Sequence, residues 1–125
     1  MTEEVVDEGT PWADSRRHQI AKRRYLEEGR GVTVGSQTYA SDRDAQGLLT
    51  GSAVAAQQAL AAGVAFSVGW KTADGWAQLD AKQLIDVANA VFAHVEACFA
   101  REAALLALVE DETYTDDLLG TGWPG

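Results

Sequence analysis

The sequence predicts an α+β fold in which helices alternate with short antiparallel hairpins. The clearest strand signal covers residues 64–71, where apolar side chains alternate strictly with small or polar ones. The clearest helix signal covers residues 81–109, where apolar side chains recur at alternating steps of four and three. Proline, the strongest helix breaker, occurs only at Pro11 and Pro124. The order of the signals is helix, hairpin, helix, hairpin and long helix.

The chain begins with an acidic segment and a polar helix. Residues 1–11 are acidic and poor in apolar side chains, so we expect a flexible acidic arm. The remainder, residues 12–125, has the size of a single domain. Its first element is predicted to be a helix from about Trp12 to Glu28, because Gly29 then provides a stop. The apolar stripe of this helix is narrow.

A short hairpin and a middle helix follow. Residues 32–40 contain two short stretches around a Gly-Ser pair, which is typical of a hairpin turn. Ser41 or Asp42 is suited to cap the middle helix, and Gly63 ends it. The predicted buried face of this helix consists of Leu49, Ala53, Ala56 and Leu60.

The second hairpin and the last helix carry the strongest patterns. The strand is followed by Asp74-Gly75, a strong turn pair, and by a return strand over residues 76–79. Asp80 is then placed to cap the long helix. The main apolar row of that helix, called the seam below, is Leu84, Ala88, Val91, Val95, Cys98, Glu102, Leu105 and Val109. A second row repeats every seven residues and consists of Ile85, Phe92, Phe99 and Leu106.

Two adjacent apolar rows are wider than a small domain requires, and two interpretations are open. In the first, the seam packs on the middle helix and the hairpins. In the second, the seam or the second row pairs with further copies of the chain, and we expect such a homo-oligomer. Ala88 and Glu102 in the seam weaken a dedicated coiled coil.

Composition limits the partners and the compartment. Nineteen acidic residues against ten basic ones give a net charge of −9, which disfavours nonspecific binding to nucleic acid or to an anionic membrane. The N-terminus has no apolar signal segment, and no apolar run approaches the roughly 20 residues that span a bilayer. The single cysteine, Cys98, fits synthesis in a reducing host cytoplasm.

The basic residues are concentrated in one cluster, residues 16–24. This cluster is either a solvated helix face or a docking face, and a docking face would bind an acidic partner or the chain's own acidic ends.

No arrangement of side chains indicates catalysis. His94, Cys98 and Glu102 share one helix face, but positions i and i+8 lie about 12 Å apart, too far to close around one metal ion. Neither His18 nor His94 is accompanied by a nucleophile motif, a phosphate-binding glycine loop or paired carboxylates. We therefore predict a protein that is not an enzyme and that holds no metal and no cofactor.

The four tryptophans fall into two pairs. Trp70 and Trp76 flank the second turn, where they would stack across the hairpin or cover the core, with core packing favoured for Trp70. Exposed, they would suit recognition of sugar or protein. Trp12 and Trp123 lie near the termini, and we expect them to anchor the ends against this domain or a neighbouring chain.

A set of landmarks in fixed order runs through roughly residues 12–125. They are the arginine-containing first helix ending at Gly29, Tyr39, Ser41-Asp42, the strand ending in Trp70 with Thr72, Asp74 and Gly75, Leu79-Asp80, the long helix with His94, Phe99 and Leu105, and the terminal Gly122-Trp123-Pro124. In this order they make the chain resemble a domain of unknown function that is common in bacteriophage tail and tail-fibre-assembly proteins of Gram-negative hosts. The resemblance implies a place in the virion tail and partners among other tail or fibre proteins. Because phage fibres are commonly threefold, it favours a trimer.

We therefore predict a phage tail or tail-fibre structural or assembly protein that acts by binding protein. Two alternatives stay open: a transient assembly chaperone that is absent from the virion, and a phage protein that binds and inhibits a host protein. Mass spectrometry of purified particles separates the first from a virion component, and a pull-down from infected cells tests the second. The predicted contact residues are Trp12, Arg16, Arg17, Arg23, Arg24, Phe92, Phe99 and Trp123.

Overall fold

The computed structural model describes residues 10–125, and most of the predicted acidic arm, residues 1–9, lies outside the described part. The α+β class and the predicted element order are confirmed. The elements are α1 (Pro11–Glu28), β1 (Val32–Val34), β2 (Gln37–Tyr39), α2 (Arg43–Ala62), β3 (Ser67–Thr72), β4 (Gly75–Asp80), α3 (Ala81–Glu110) and a 3-10 helix (Asp116–Gly120).

Side chains at the helix ends explain where the helices start and stop. The Thr10 hydroxyl accepts a hydrogen bond from the Ala13 amide at 3.1 Å, so α1 begins at Pro11, within the segment predicted to be an arm. Of the two residues suited to cap α2, Asp42 does so. Gly63 ends α2 with a left-handed φ of 67°.

The start of α3 is fixed by a reciprocal pair of hydrogen bonds. The Gln83 amide donates to Asp80 Oδ1 at 2.8 Å, and the Asp80 amide donates to Gln83 Oε1 at 2.9 Å. This capping box satisfies two backbone groups that would otherwise lack partners. The predicted cap at Asp80 is therefore confirmed.

Each hairpin pairs its strands antiparallel. In the first, Val32 lies opposite Tyr39, as the predicted turn requires. In the second, Thr72 lies opposite Gly75, so the two-residue loop is Ala73-Asp74. The predicted turn pair Asp74-Gly75 is thus wrong by one residue: Gly75 already belongs to β4, and its φ of 124° is open to glycine alone at little cost.

The described chain forms two compact units, which are treated separately. Unit 1 comprises the described residues up to Glu27 together with Ala97–Pro124. Unit 2 comprises Glu28–Glu96. Helix α3 contributes its first half to unit 2 and its second half to unit 1, and each unit has its own buried cluster.

The core of unit 2 joins the first half of the seam to α2 and the hairpins. Leu84 and Val91 of α3 are fully buried against Leu49 and Ala56 of α2. This is the intramolecular packing that the sequence suggested for the seam. Leu60, predicted on the same face of α2, is 56% exposed, so the buried face of α2 ends one turn earlier than expected.

The core of unit 1 joins the second half of the seam to α1. Ala13 and Ile20 of α1 pack with Leu105 and Val109 of α3, and Tyr114 completes the cluster. The narrow apolar stripe of α1 therefore suffices to cover this part of the seam.

Candidate partner-binding surfaces

In unit 1 the first two predicted contact arginines bind acidic residues of the same chain. Arg16 Nε donates to Asp116 Oδ1 at 2.8 Å, and Arg16 Nη2 donates to Asp116 Oδ2 at 2.9 Å. Arg17 pairs with Asp14 at 3.0 Å and lies 4.0 Å from Glu110. Of the interpretations given to the basic cluster, docking to the chain's own acidic tail agrees with these contacts.

The other two predicted arginines are also held within unit 1. Arg23 Nε donates at 2.8 Å to Glu27, whose side chain is 6% exposed. Arg24 Nε donates to Glu102 at 3.2 Å. The guanidinium carbon of Arg24 lies 4.4 Å from the centroid of the Phe99 ring. Arg24 therefore stacks on an aromatic ring while its own position is fixed by a carboxylate.

Both terminal tryptophans contact unit 1 itself. The Trp12 ring meets Tyr114 edge-on with centroids 6.4 Å apart, and Arg16 lies 5.2 Å from its centroid. Trp123 packs beside the core and donates its Nε1 hydrogen to the Leu119 carbonyl at 2.7 Å. Of the two expectations for these residues, anchoring against the chain's own domain is the one seen here.

A further arginine, missed by the sequence analysis, fastens the C-terminal segment. Arg101 Nε donates to the Thr121 carbonyl at 2.9 Å, and Arg101 Nη2 donates to the Leu118 carbonyl at 3.3 Å. A Cβ at Gly122 would lie 2.5 Å from Arg101 Nε, so a larger residue there would displace the Arg101 side chain, and the φ of 81° at Gly122 also favours glycine. The sequence signal was the glycine near the terminus, but nothing in the spacing identified Arg101 as its neighbour.

Tyr114 is an unusual polar group in unit 1. Its hydroxyl is buried and has no hydrogen-bond partner among the described residues. Burial raises the pKa of Tyr114, and the Asp116 carboxylate adds to this rise, while the guanidinium of Arg16 opposes it. A buried hydroxyl without a hydrogen-bond partner lowers the free energy of unfolding, so Tyr114 makes the unit 1 core less stable than an apolar ring of the same size would.

Phe92 is the one predicted contact residue that belongs to unit 2. Its ring is 40% exposed on α3. The structure therefore groups the other predicted contact residues in unit 1 and leaves Phe92 by itself.

The second hairpin separates its two tryptophans. Trp70 lies opposite Ala77, and Trp76 lies opposite Lys71. Because successive side chains of a strand point to opposite faces, the two rings cannot stack on each other. Trp70 packs against the unit 2 core as favoured, whereas Trp76 is 74% exposed.

Unit 2 also contains a cavity of about 670 Å³ that the sequence analysis did not predict. It lies among the two hairpins and the start of α2, with Tyr39, Leu48 and Trp70 as apolar walls. The charged residues at its border carry both signs. They are Arg30, Asp42, Asp44 and Lys71.

Unit 2 also contains a buried carboxylate, Glu28, which directly precedes the cavity-lining residue Gly29. Arg43 donates two hydrogen bonds to its oxygens, and Gln46 Nε2 donates another at 2.8 Å. The Ser41 hydroxyl donates to the Glu28 carbonyl at 2.7 Å and accepts from the Gly31 amide at 2.9 Å. Sequence reasoning treated Glu28 only as the end of a polar helix, and no local pattern marks it as buried.

Two kinds of site are not found in the described part of the chain. Residues 10–125 contain no group of three His, Cys, Asp or Glu side chains placed to hold a metal ion. None of the described helices combines the length and the apolar character needed to cross a membrane. The described surface does carry exposed aromatic side chains, two of which lie beside arginines.

The fold and these surfaces define a small α+β protein with exposed aromatic side chains. The chain belongs to the domain-of-unknown-function family DUF4376, whose model matches residues 13–119. No curated protein and no solved structure matches the chain.

Proposed function

We propose that the chain is a bacteriophage tail or tail-fibre protein that acts by binding another protein, without catalysis. The Phe99–Arg24 pair of unit 1 carries this proposal. The Phe99 ring is 42% exposed although Arg24 lies over it. Aromatic and arginine side chains supply much of the binding energy at protein interfaces. Because Glu102 already holds Arg24, less side-chain entropy is lost when a partner binds.

Arg16 and Arg17 are poorer candidates for partner contact, because they bind the acidic end of their own unit. Tyr25 and Leu26 are 55% and 57% exposed, but successive positions of a helix are about 100° apart, so neither shares the face of Arg24. The proposed surface therefore consists of Phe99 and Arg24.

The phage part of the proposal rests on the resemblance in the order of sequence landmarks. It is tested by mass spectrometry of purified particles of the phage that encodes the chain. Detection at constant stoichiometry in washed particles supports a tail component. Presence in the infected cell together with absence from particles favours the transient chaperone, and co-purification with one host protein favours the inhibitor.

The binding surface is tested by Phe99→Ala, with Leu60→Ala as a matched control. Leu60 is 56% exposed, lies in unit 2 and is not one of the predicted contact residues. We expect Phe99→Ala to reduce incorporation into particles by about tenfold or more, as loss of an interface anchor does. Leu60→Ala should leave incorporation unchanged. Equal incorporation of both variants would contradict the proposal.

We also propose that the chain forms a homo-oligomer, with a trimer favoured. The seam is mostly buried within the chain's own units, so self-association would use side chains that stay exposed, such as Phe92. Light scattering at micromolar concentration should give the mass of a trimer. A monomer mass would contradict self-association and leave the binding of a different protein as the function.

A further inference from the structure

The outward face of the β3–β4 hairpin in unit 2 carries one aromatic ring on an otherwise polar surface. Side chains of one strand alternate between its two faces, so cross-strand pairs share a face. Three of these cross-strand pairs lie on the outward face, and all of their residues are exposed. On the other face, Val68, Trp70 and Leu79 contact the core. The outward residues are Ser67, Gly69, Lys71, Trp76, Gln78 and Asp80.

Gly69 leaves room for the indole ring to lie against the strand. A Cβ at Gly69 would be 3.9 Å from Trp76 Cε3 and 3.6 Å from Gln78 Oε1. The Trp76 ring and the Gln78 amide therefore both lie beside Gly69, which has no side chain. Gln78 Nε2 donates to the Ser67 hydroxyl at 2.7 Å, which fixes the orientation of the amide beside the ring.

We propose that this face is a carbohydrate-binding site that accepts one pyranose ring. A pyranose presents a face of C–H groups, which packs on an indole, and a rim of hydroxyl groups. The Gln78 amide and the Lys71 ammonium lie next to Trp76 in the register and supply hydrogen-bond partners for that rim. The site depends on the geometry of unit 2 alone and not on the proposed function.

The composition of the face favours a sugar over a protein partner. Protein interfaces place their anchor residues among further apolar contacts that exclude water. On this face Trp76 is the single apolar side chain, and its nearest neighbours in the register are Lys71 and Gln78, both polar. A single ring with polar neighbours offers a stacking area for one pyranose and no wider apolar contact.

The proposal is tested by NMR titration of the ¹⁵N-labelled full chain with methyl β-D-glucopyranoside and methyl β-D-galactopyranoside. At least one sugar should cause saturable shifts of the Trp76 Nε1 proton and the Gln78 side-chain amide at millimolar concentration. Trp76→Ala should weaken binding by about tenfold or more, since the stacked area is lost. The absence of shifts with both sugars at tens of millimolar would overturn the site.

A pair of substitutions at Gly69 provides the matched control. Gly69→Ala adds a Cβ at ordinary contact distance from the ring and the amide, so sugar affinity should persist. Gly69→Val adds branched methyl groups where the ring lies and should reduce affinity severalfold. Equal affinity in both variants would overturn the geometry. Phe99→Ala should leave the titration unchanged, which separates failure of this site from failure of the protein-binding proposal.

Discussion

The two units close their cores by different means. Unit 2 buries apolar side chains from both hairpins and two helices. The charged side chain buried in this unit is Glu28. Unit 1 has a smaller cluster, and its edges are closed by Arg16 on Asp116 and by Arg101 on the carbonyls of the C-terminal segment. Arginine side chains can therefore stabilise the fold of their own unit, so a basic cluster alone does not identify a partner surface.

The largest effect is expected from truncating either core. Leu84 of unit 2 and Leu105 of unit 1 are both fully buried. Leu84→Ala and Leu105→Ala should each lower the free energy of unfolding by about 3 kcal/mol, because each leaves a cavity. Hydrogen exchange should show the loss of protection mainly in the unit that carries the change. Identical exchange patterns for the two variants would mean that the cores are one cooperative structure.

The next effect concerns the buried carboxylate of unit 2. Arg43→Met removes the guanidinium from Glu28, whose side chain is 2% exposed, and should lower the free energy of unfolding by about 2–3 kcal/mol. Lys82→Met is the control, because the Lys82–Asp86 pair is largely exposed and should contribute less than about 0.5 kcal/mol. Urea denaturation of both variants measures the difference. Equal, small losses would show that Glu28 does not need Arg43.

A smaller effect of opposite sign is expected at Tyr114. Tyr114→Phe removes a buried hydroxyl that lacks a partner, so the free energy of unfolding should stay constant or rise by about 1 kcal/mol. Thermal unfolding measures this change. A clear loss of stability would show that the hydroxyl is hydrogen-bonded in solution.

The same residue predicts a pH dependence. Burial raises the pKa of Tyr114 above its ordinary value of about 10. At higher pH the unfolded chain loses this proton before the folded chain does, so the stability contribution is complete below pH 10 and declines above it. In Tyr114→Phe the decline above pH 10 should be shallower, as measured by urea denaturation at a series of alkaline pH values.

The smallest effect is expected at the exposed ion pair of unit 1. Asp116 is 66% exposed, so Asp116→Asn should lower the free energy of unfolding by no more than about 1 kcal/mol. Added salt should remove part of the difference from the wild type, because water and ions screen the pair. Thermal unfolding at low and high ionic strength tests this. A larger, salt-independent loss would mean that the pair is the main support of the tail segment.

Local signals predicted the elements well and the long-range pairings poorly. Capping residues and glycines placed the ends of all three helices to within about two residues, since these signals act over one helical turn. The position of Arg101 beneath Gly122 and the burial of Glu28 depend on residues distant in sequence, and no spacing encodes them.

The candidate surfaces were predicted only in part. Phe99 and Arg24 were both in the predicted contact set, but their stacking on each other depends on the packing of α1 against α3 within unit 1. Alternation along the strands of the second hairpin places Trp76 on the face opposite Trp70, and sequence alone did not decide which of the two faces is exposed. The sequence pattern of α3 also did not indicate that the helix would contribute to two buried clusters.

The proposed contact between the Phe99 surface and another protein of the phage particle can be tested by photocrosslinking, with a benzophenone side chain at position 99 and, as the control, at position 60. We expect a crosslink from position 99 to one tail or fibre protein, identified by mass spectrometry, and none from position 60. No crosslink at position 99 in assembled particles, or the same products from both positions, would contradict it.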